Sequence, residues 1–327
     1  MRPSTDRALA LLSDWGVTPR GLRCVANSDC EVWRFTPAGA AGGGDLSLRI
    51  YAEERQDADA IDVEMLWLRD LANQGLHVPA PVALPGGGHR ATSLASGSQP
   101  PRHAVLLQWL PGRMLFDSLR PLHLHRVGVL TAHLHASAAR LHVQGLLRSD
   151  RPVHSPDLDA WAEGRRRLPA WAGPRLAAVV PRAARRFRDE LVLWPRDAAH
   201  RGWIHGDLHP WNLLFQGGQA GAIDFSDGGW GFLSQDLASA LQFLRHPLPR
   251  FRDHRLMYPA FREALFDGYA TVRALPPALC VQADTMVALR QLHTLQWMSD
   301  DWRSPDERPW GRGFVDTLPD VLEPMCA

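Results

Sequence analysis

Cysteine is scarce in this 327-residue chain, and the four present, Cys24, Cys30, Cys280 and Cys326, form neither a Cys-x-x-Cys pair nor a zinc spacing. That excludes a disulfide framework and a zinc knuckle and fits reduced thiols. No stretch approaches the roughly 20 consecutive apolar residues that span a bilayer. The start, Met1-Arg2-Pro3-Ser4-Thr5-Asp6, lacks the basic region and apolar run of a secretory signal. The expected address is the cytoplasm, with no membrane association. An excess of charge is missing too: 36 basic against 35 acidic residues leave a formal net charge of +1, which gives no reason to expect nucleic acid as a partner. The run Arg165-Arg166-Arg167 reads as a solvated helix face. Five histidines between residues 123 and 142 are not spaced for chelation, because residues two apart do not share a helix face, and no cysteine or carboxylate joins them at metal spacing. There is no Gly-x-Gly-x-x-Gly. Gly39 and Gly42-Gly43-Gly44 follow a strand and read as a hairpin tip rather than a phosphate cradle.

What is present is ordinary globular sequence, 45% hydrophobic and 22% charged, of a length that suits about two domains or lobes. Residues 5 to 15 form an amphipathic helix behind a Ser4/Thr5 cap, stopped at Gly16. Val25 to Phe35 reads as a turn and strand. Leu46 to Tyr51 alternates as a strand, with Leu46, Leu48 and Ile50 on one face and Ser47 and Arg49 on the other. Asp57 to Ala72 is a helix capped at Asp57 or Asp59 and stopped at Gly75. The Ala104-Val105-Leu106-Leu107 run belongs to a buried strand over His103 to Trp109. Further helices are expected over 122–143, 175–193, from Asp236 onward, 260–272 and 281–297.

The most informative stretch is 203–227. Asp207 is followed five positions on by Asn212 and twelve beyond that by Asp224. Leu213-Leu214-Phe215, the Gly217-Gly218 turn and Ala220 to Ile223 read as two short strands joined by a tight reversal, which brings Asn212 and Asp224 together. Phosphoryl transfer needs an oxygen-donor pair for magnesium and, beside it, a carboxylate to orient and deprotonate a hydroxyl. The plain alternative is a buried polar loop whose carboxylates only cap turns.

His205-Gly206-Asp207, four residues, Asn212 and then Asp224-Phe225-Ser226 resemble the loops of protein kinases. With Gly in place of Arg and His209-Pro210 inside the loop, they are more similar to the aminoglycoside phosphotransferase and choline kinase-like family. That resemblance implies an α+β, bilobal protein-kinase-like fold: a small antiparallel-sheet lobe over 1–109 that binds nucleotide, and a mainly helical lobe over 110–327 for catalysis and acceptor binding. It implies Asp207 as catalytic base, Asn212 and Asp224 as magnesium ligands, and His205 and Asp236 in support, Asp236 anchoring the loop through backbone amides. Arg49 stands where a lysine normally reaches the phosphates, and Glu64 where the family's helix places that residue's partner; a surface glutamate is the alternative. Ser47 would lie below the adenine, Gln108 to Gly112, Leu110 included, would be the hinge, and Asn27-Ser28-Asp29 would cover the phosphates. The implied activity is ATP- and Mg2+-dependent transfer to a hydroxyl of a small, possibly amino-bearing, molecule. A bacterial protein serine/threonine kinase is the second reading, weakened by the lack of an Ala-Pro-Glu segment after Asp224. A silent nucleotide-binding module is the third. Asp300, Asp301 and Trp302, with Trp297, could hold an ammonium group, although a helix end packing its aromatic residues is the commoner explanation.

Overall fold

In the computed structural model, residues 3–27, 30–39, 44–52, 57–93, 101–116, 118–246 and 254–326 are described. The chain divides into two compact units, Met1–Gly112 and Arg113–Ala327.

The first unit is built on a five-stranded antiparallel sheet in the order β1-β2-β3-β5-β4. Its strands are β1 (Pro19–Asn27), β2 (Cys30–Pro37), β3 (Leu46–Tyr51), β4 (Arg90–Thr92) and β5 (His103–Gln108). Helix α1 (Thr5–Ser13) starts where the Ser4 hydroxyl accepts from the Arg7 amide, and its Ala8, Leu11 and Leu12 bury against Leu48, Ile50 and Leu106. Successive strand side chains point to opposite faces, so Ser47, Arg49 and Tyr51 lie on the other face of β3. That face meets α2 (Ala58–Asn73), capped by the Asp57 carboxylate. Strand β3 is buried on both faces because it runs between β2 and β5 with a helix on either side. Strand β1 is mostly exposed on both faces, and only its last residues fall within the sequence-expected turn and strand.

The second unit is mainly helical. Its elements in order are α3 (Pro121–Val143), α4 (Leu158–Ala162), α5 (Gly173–Leu193), β6 (Arg201–Ile204), β7 (Leu213–Gln216), β8 (Gln219–Ala222), β9 (Gly229–Phe232), α6 (Ser234–Leu241), α7 (Tyr258–Ala270), α8 (Pro277–Asp301) and α9 (Gly311–Leu322). Two two-stranded ribbons sit among the helices, β6 with β9 and β7 with β8. In the β7–β8 hairpin Gln216 pairs with Gln219, and Gly217 and Gly218 both take positive φ, 54° and 85°. A two-residue loop of this kind needs left-handed backbone at both positions, which glycine adopts without penalty.

Candidate active site

The loop leaving β6 is held from below by a buried carboxylate. Asp236, fully buried on α6, accepts the amide of His205 through Oδ2 and that of Gly206 through Oδ1, each at 2.8 Å. Its Oδ2 also meets His135 Nε2 of α3 at 3.1 Å, while His135 Nδ1 lies 2.9 Å from the Tyr269 hydroxyl of α7. Burial pushes the Tyr269 phenol upward, so it keeps its proton and donates to Nδ1. His135, pushed down by burial, is neutral and carries its proton on Nε2, where it donates to Asp236. Burial alone would raise the Asp236 carboxyl, but the His135 hydrogen bond, the neighbouring histidines and the loop amides outweigh it and hold it below its ordinary value. Gly206 has φ 84°, and a Cβ there would press on the Asp227 carbonyl, so a side chain is excluded where protein kinases carry arginine.

His205 then ties the loop to the hairpin. Its Nδ1 accepts the Asp207 amide at 3.2 Å, which leaves Nε2 to donate to the Ile223 carbonyl at 3.1 Å. The Ile223 amide donates to the Asn212 carbonyl at 3.0 Å, so Asp224, the next residue, comes to the Asn212 end of the hairpin. Asp224 is the single non-glycine residue with positive φ, 65°, among the described residues, and the Ser226 hydroxyl donates to its Oδ1 at 3.0 Å. Backbone strain of this kind persists only where surrounding structure over-determines it.

Asp207 stands between these groups. Its Oδ1 accepts from Arg290 Nη2 at 2.6 Å, and its Oδ2 lies 3.2 Å from His209 Nε2 and 3.3 Å from Asn212 Nδ2. The Asn212 amide nitrogen also donates to the Asp207 carbonyl at 2.9 Å. Both donations come from the amide nitrogen, and no donor among the described residues takes the Asn212 side-chain oxygen. Burial alone would raise the Asp207 carboxyl, but His209, Arg290 and His205 beside it bring it down to about 2. It is therefore ionised at neutral pH. Arg290, buried on α8, also donates through Nη1 to the Gly206 carbonyl at 3.1 Å and to His293 Nδ1 at 2.9 Å, and through Nε to Gln242 at 3.3 Å.

In the first unit Arg49 and Glu64 meet at 3.0 Å, and Tyr51 donates to the second Glu64 oxygen at 2.9 Å, all three buried. Glu64 is thus not a surface residue. The chain contains no lysine at all, so arginine at position 49 follows a chain-wide usage. Ser47 is buried, with its hydroxyl 3.5 Å from the Leu107 carbonyl. Gln108 is exposed and its backbone amide donates to the Ala80 carbonyl at 2.8 Å; Leu110 is half-buried. Asn27 ends β1, whereas Ser28 and Asp29 lie outside the described residues.

Asp300, Asp301 and Trp302 are not brought to Asp207. Asp300 lies ten residues beyond Arg290 on α8, roughly 15 Å along the axis at 1.5 Å per residue, and it is ion-paired to Arg166. Asp301 is exposed, and Trp302 is buried with its ring 5.2 Å from Trp310. Trp310 in turn lies 6.2 Å from Trp211, so an aromatic wall runs back to the loop. Sequence gives no site role to Arg290, His293 or Tyr51, and it uses His209 only as a mark of the family loop. An arginine directly after the apolar run Met286-Val287-Ala288-Leu289 was the available signal for the first.

The profile of the APH phosphotransferase enzyme family matches residues 31–279. A homoserine kinase of Gluconobacter oxydans (strain 621H) is 32% identical over 268 residues, 76% of each chain. A microcompartment-associated aminopropanol kinase superimposes with a TM-score of 0.74 at 23% identity, covering 99% of this chain and 95% of that one. The amicoumacin kinase hAmiN, solved with AMP-PNP, Ca2+ and Ami, gives 0.77 at 19% identity over 97% and 94%. The chain belongs to the phosphotransferase enzyme family and has its protein-kinase-like fold. It is a kinase that phosphorylates a hydroxyl group of a small molecule.

Proposed function

We propose that the protein transfers the γ-phosphoryl group of MgATP to the hydroxyl of a small amino-bearing acceptor, and does so in the cytoplasm, where ATP is available. The observation that carries the reading is the single cluster of Asp207, Asn212 and Asp224 on the β6–β8 segment. Asn212 turns its amide nitrogen onto Asp207, which leaves its carbonyl oxygen and the Asp224 carboxylate as a hard oxygen-donor set that suits magnesium. When bound there, the ion neutralises charge on the nucleotide phosphates. Arg49, braced by Glu64, supplies the fixed positive charge for the phosphates that a lysine supplies elsewhere, with Ser47, Gln108 and Leu110 assigned to the adenine side.

Asp207 orients the acceptor. With Oδ1 held by Arg290, Oδ2 is the oxygen that receives the hydroxyl. A carboxylate this acidic removes no proton from a free alcohol. The new O–P bond forms and the β–γ bridging bond breaks first, leaving ADP; only then is the alcohol proton acidic enough to pass to Asp207 and on to solvent. Catalysis is positioning and charge neutralisation, as a loose transition state requires. His205 and Asp236 keep the loop in register.

Homoserine and aminopropanol, the compounds that name two of the similar kinases, are both short chains bearing a hydroxyl and an amine. The test is incubation of purified protein with MgATP and a panel of such compounds, with products read by mass spectrometry. An O-phosphorylated acceptor is the expected product. Release of inorganic phosphate alone, whatever acceptor is added, would contradict the proposal.

A further inference from the structure

Two groups beside Asp207 have no part in the steps above as acceptor contacts: Arg290 and, one turn further along the same face of α8, His293. Arginine has only donors, so His293 Nδ1, 2.9 Å from Arg290 Nη1, is an acceptor and the neutral ring carries its one proton on Nε2. Burial, and then the adjacent Arg290 charge, hold the imidazole neutral, down at about 3, so this assignment holds at any physiological pH. Nε2 has no hydrogen-bond partner among the described residues, and the ring is half-buried rather than sealed. The result is a fixed neutral donor, one guanidinium away from the carboxylate that takes the acceptor hydroxyl.

We infer that His293 determines acceptor specificity by donating its Nε2–H to a carboxylate on the acceptor. The inference rests on the reading of Asp207 as the group that receives the hydroxyl. The kind of atom His293 presents selects the ligand. A fixed N–H donor finds no acceptor on an ammonium and finds one on a carboxylate, so the acceptor's amino group is directed elsewhere and its carboxylate comes to α8. A spacing of one guanidinium between the two contacts suits a short hydroxy acid, with a few carbons between hydroxyl and carboxylate. Asp300, a further turn and more along α8, is already paired with Arg166 and lies beyond such a molecule's reach.

L-Homoserine and 3-amino-1-propanol differ only in the carboxylate and form the test pair. Wild-type protein is expected to favour homoserine in kcat/KM. His293→Ala should lose about 10- to 100-fold on homoserine, mainly through KM, the usual size of one hydrogen bond to a charged group. Its turnover of aminopropanol should stay near wild type. His293→Gln, whose amide can accept from Arg290 and still donate, should recover most of the preference. A cooperative thermal unfolding transition at the wild-type temperature shows that each variant is folded. Equal losses on both acceptors would reduce His293 to a support for Arg290 and overturn the inference while leaving the kinase reading intact. An unchanged homoserine preference in His293→Ala would overturn it in the same way. Turnover of neither compound by wild type would overturn the acceptor reading and the inference together.

Discussion

Two buried arginine–carboxylate pairs, one in each unit, invite comparison. Arg49 meets Glu64 at 3.0 Å with side-chain exposures of 11% and 5%, and Arg290 meets Asp207 at 2.6 Å with 6% and 24%. The chemistry of the pairs is the same and their surroundings are not. Glu64 spends its second oxygen on Tyr51, inside the unit. Asp207 has one oxygen locked by Arg290 and keeps the other at a partly open position beside His209 and Asn212. The first carboxylate is a strut that fixes an arginine. The second is a reactant that an arginine fixes. What separates the roles is how completely the fold seals the carboxylate away.

If that rule holds, Asp236, with both oxygens consumed and no exposure, belongs at the strut end and should show the largest effect on stability. Asp236→Asn leaves one loop amide facing an NH2 group and deprives His135 of its charged partner. A loss of about 3–5 kcal/mol is expected, the range for breaking a buried pair. The pH dependence has a definite sign. A carboxyl held below its ordinary value stabilises the fold above the unfolded value of about 3.9 and loses that contribution as pH falls toward the folded value. The stability gap between wild type and Asp236→Asn should therefore narrow below about pH 4, as urea denaturation across pH would show.

Arg290→Met comes next and probes the other pair. Losing a charge-assisted hydrogen bond of the usual size should cut kcat about 10- to 100-fold, with little change in nucleotide affinity by calorimetry. The smallest effect is expected for Arg49→Lys. It keeps a positive charge opposite Glu64 but loses the planar fork, so nucleotide affinity should fall less than tenfold and kcat should barely move. A kcat loss from Arg49→Lys with unchanged affinity, or an affinity loss from Arg290→Met, would erase the distinction between the pairs.

The two pairs also differ in how far sequence reveals them. Arg49 and Glu64 are fifteen residues apart on a strand and a helix whose periodicities are plain, but it is the family resemblance, not the spacing, that pairs them. Asp207 is equally plain, because Asp207, Asn212 and Asp224 lie in one local segment with a Gly-Gly turn. Its partner is 83 residues away, on the longest helix, and helical periodicity says which residues share a face but not which loop that face meets. Strand β1 was blurred because exposed positions alternate on both its sides, and β9, Gly229–Phe232, because two glycines among four residues read as a loop. Helix α9 carries Pro319 inside it and went unread. Ser47, Gln108 and Leu110 were assigned by resemblance alone, and the adenine side stays a proposal.

The most direct measurement is Asp207→Asn, followed in parallel by phosphoryl transfer to acceptor and by nucleotide binding. The substitution keeps shape and removes the charge that orients and finally deprotonates the hydroxyl. Turnover should fall by about 10² to 10⁴, the usual range for a positioned acid–base group, while MgATP affinity stays near wild type. Asp224→Ala in the same assay should lose both. Near-full activity in Asp207→Asn, or a loss of nucleotide affinity as severe as that of Asp224→Ala, would contradict the role given to Asp207.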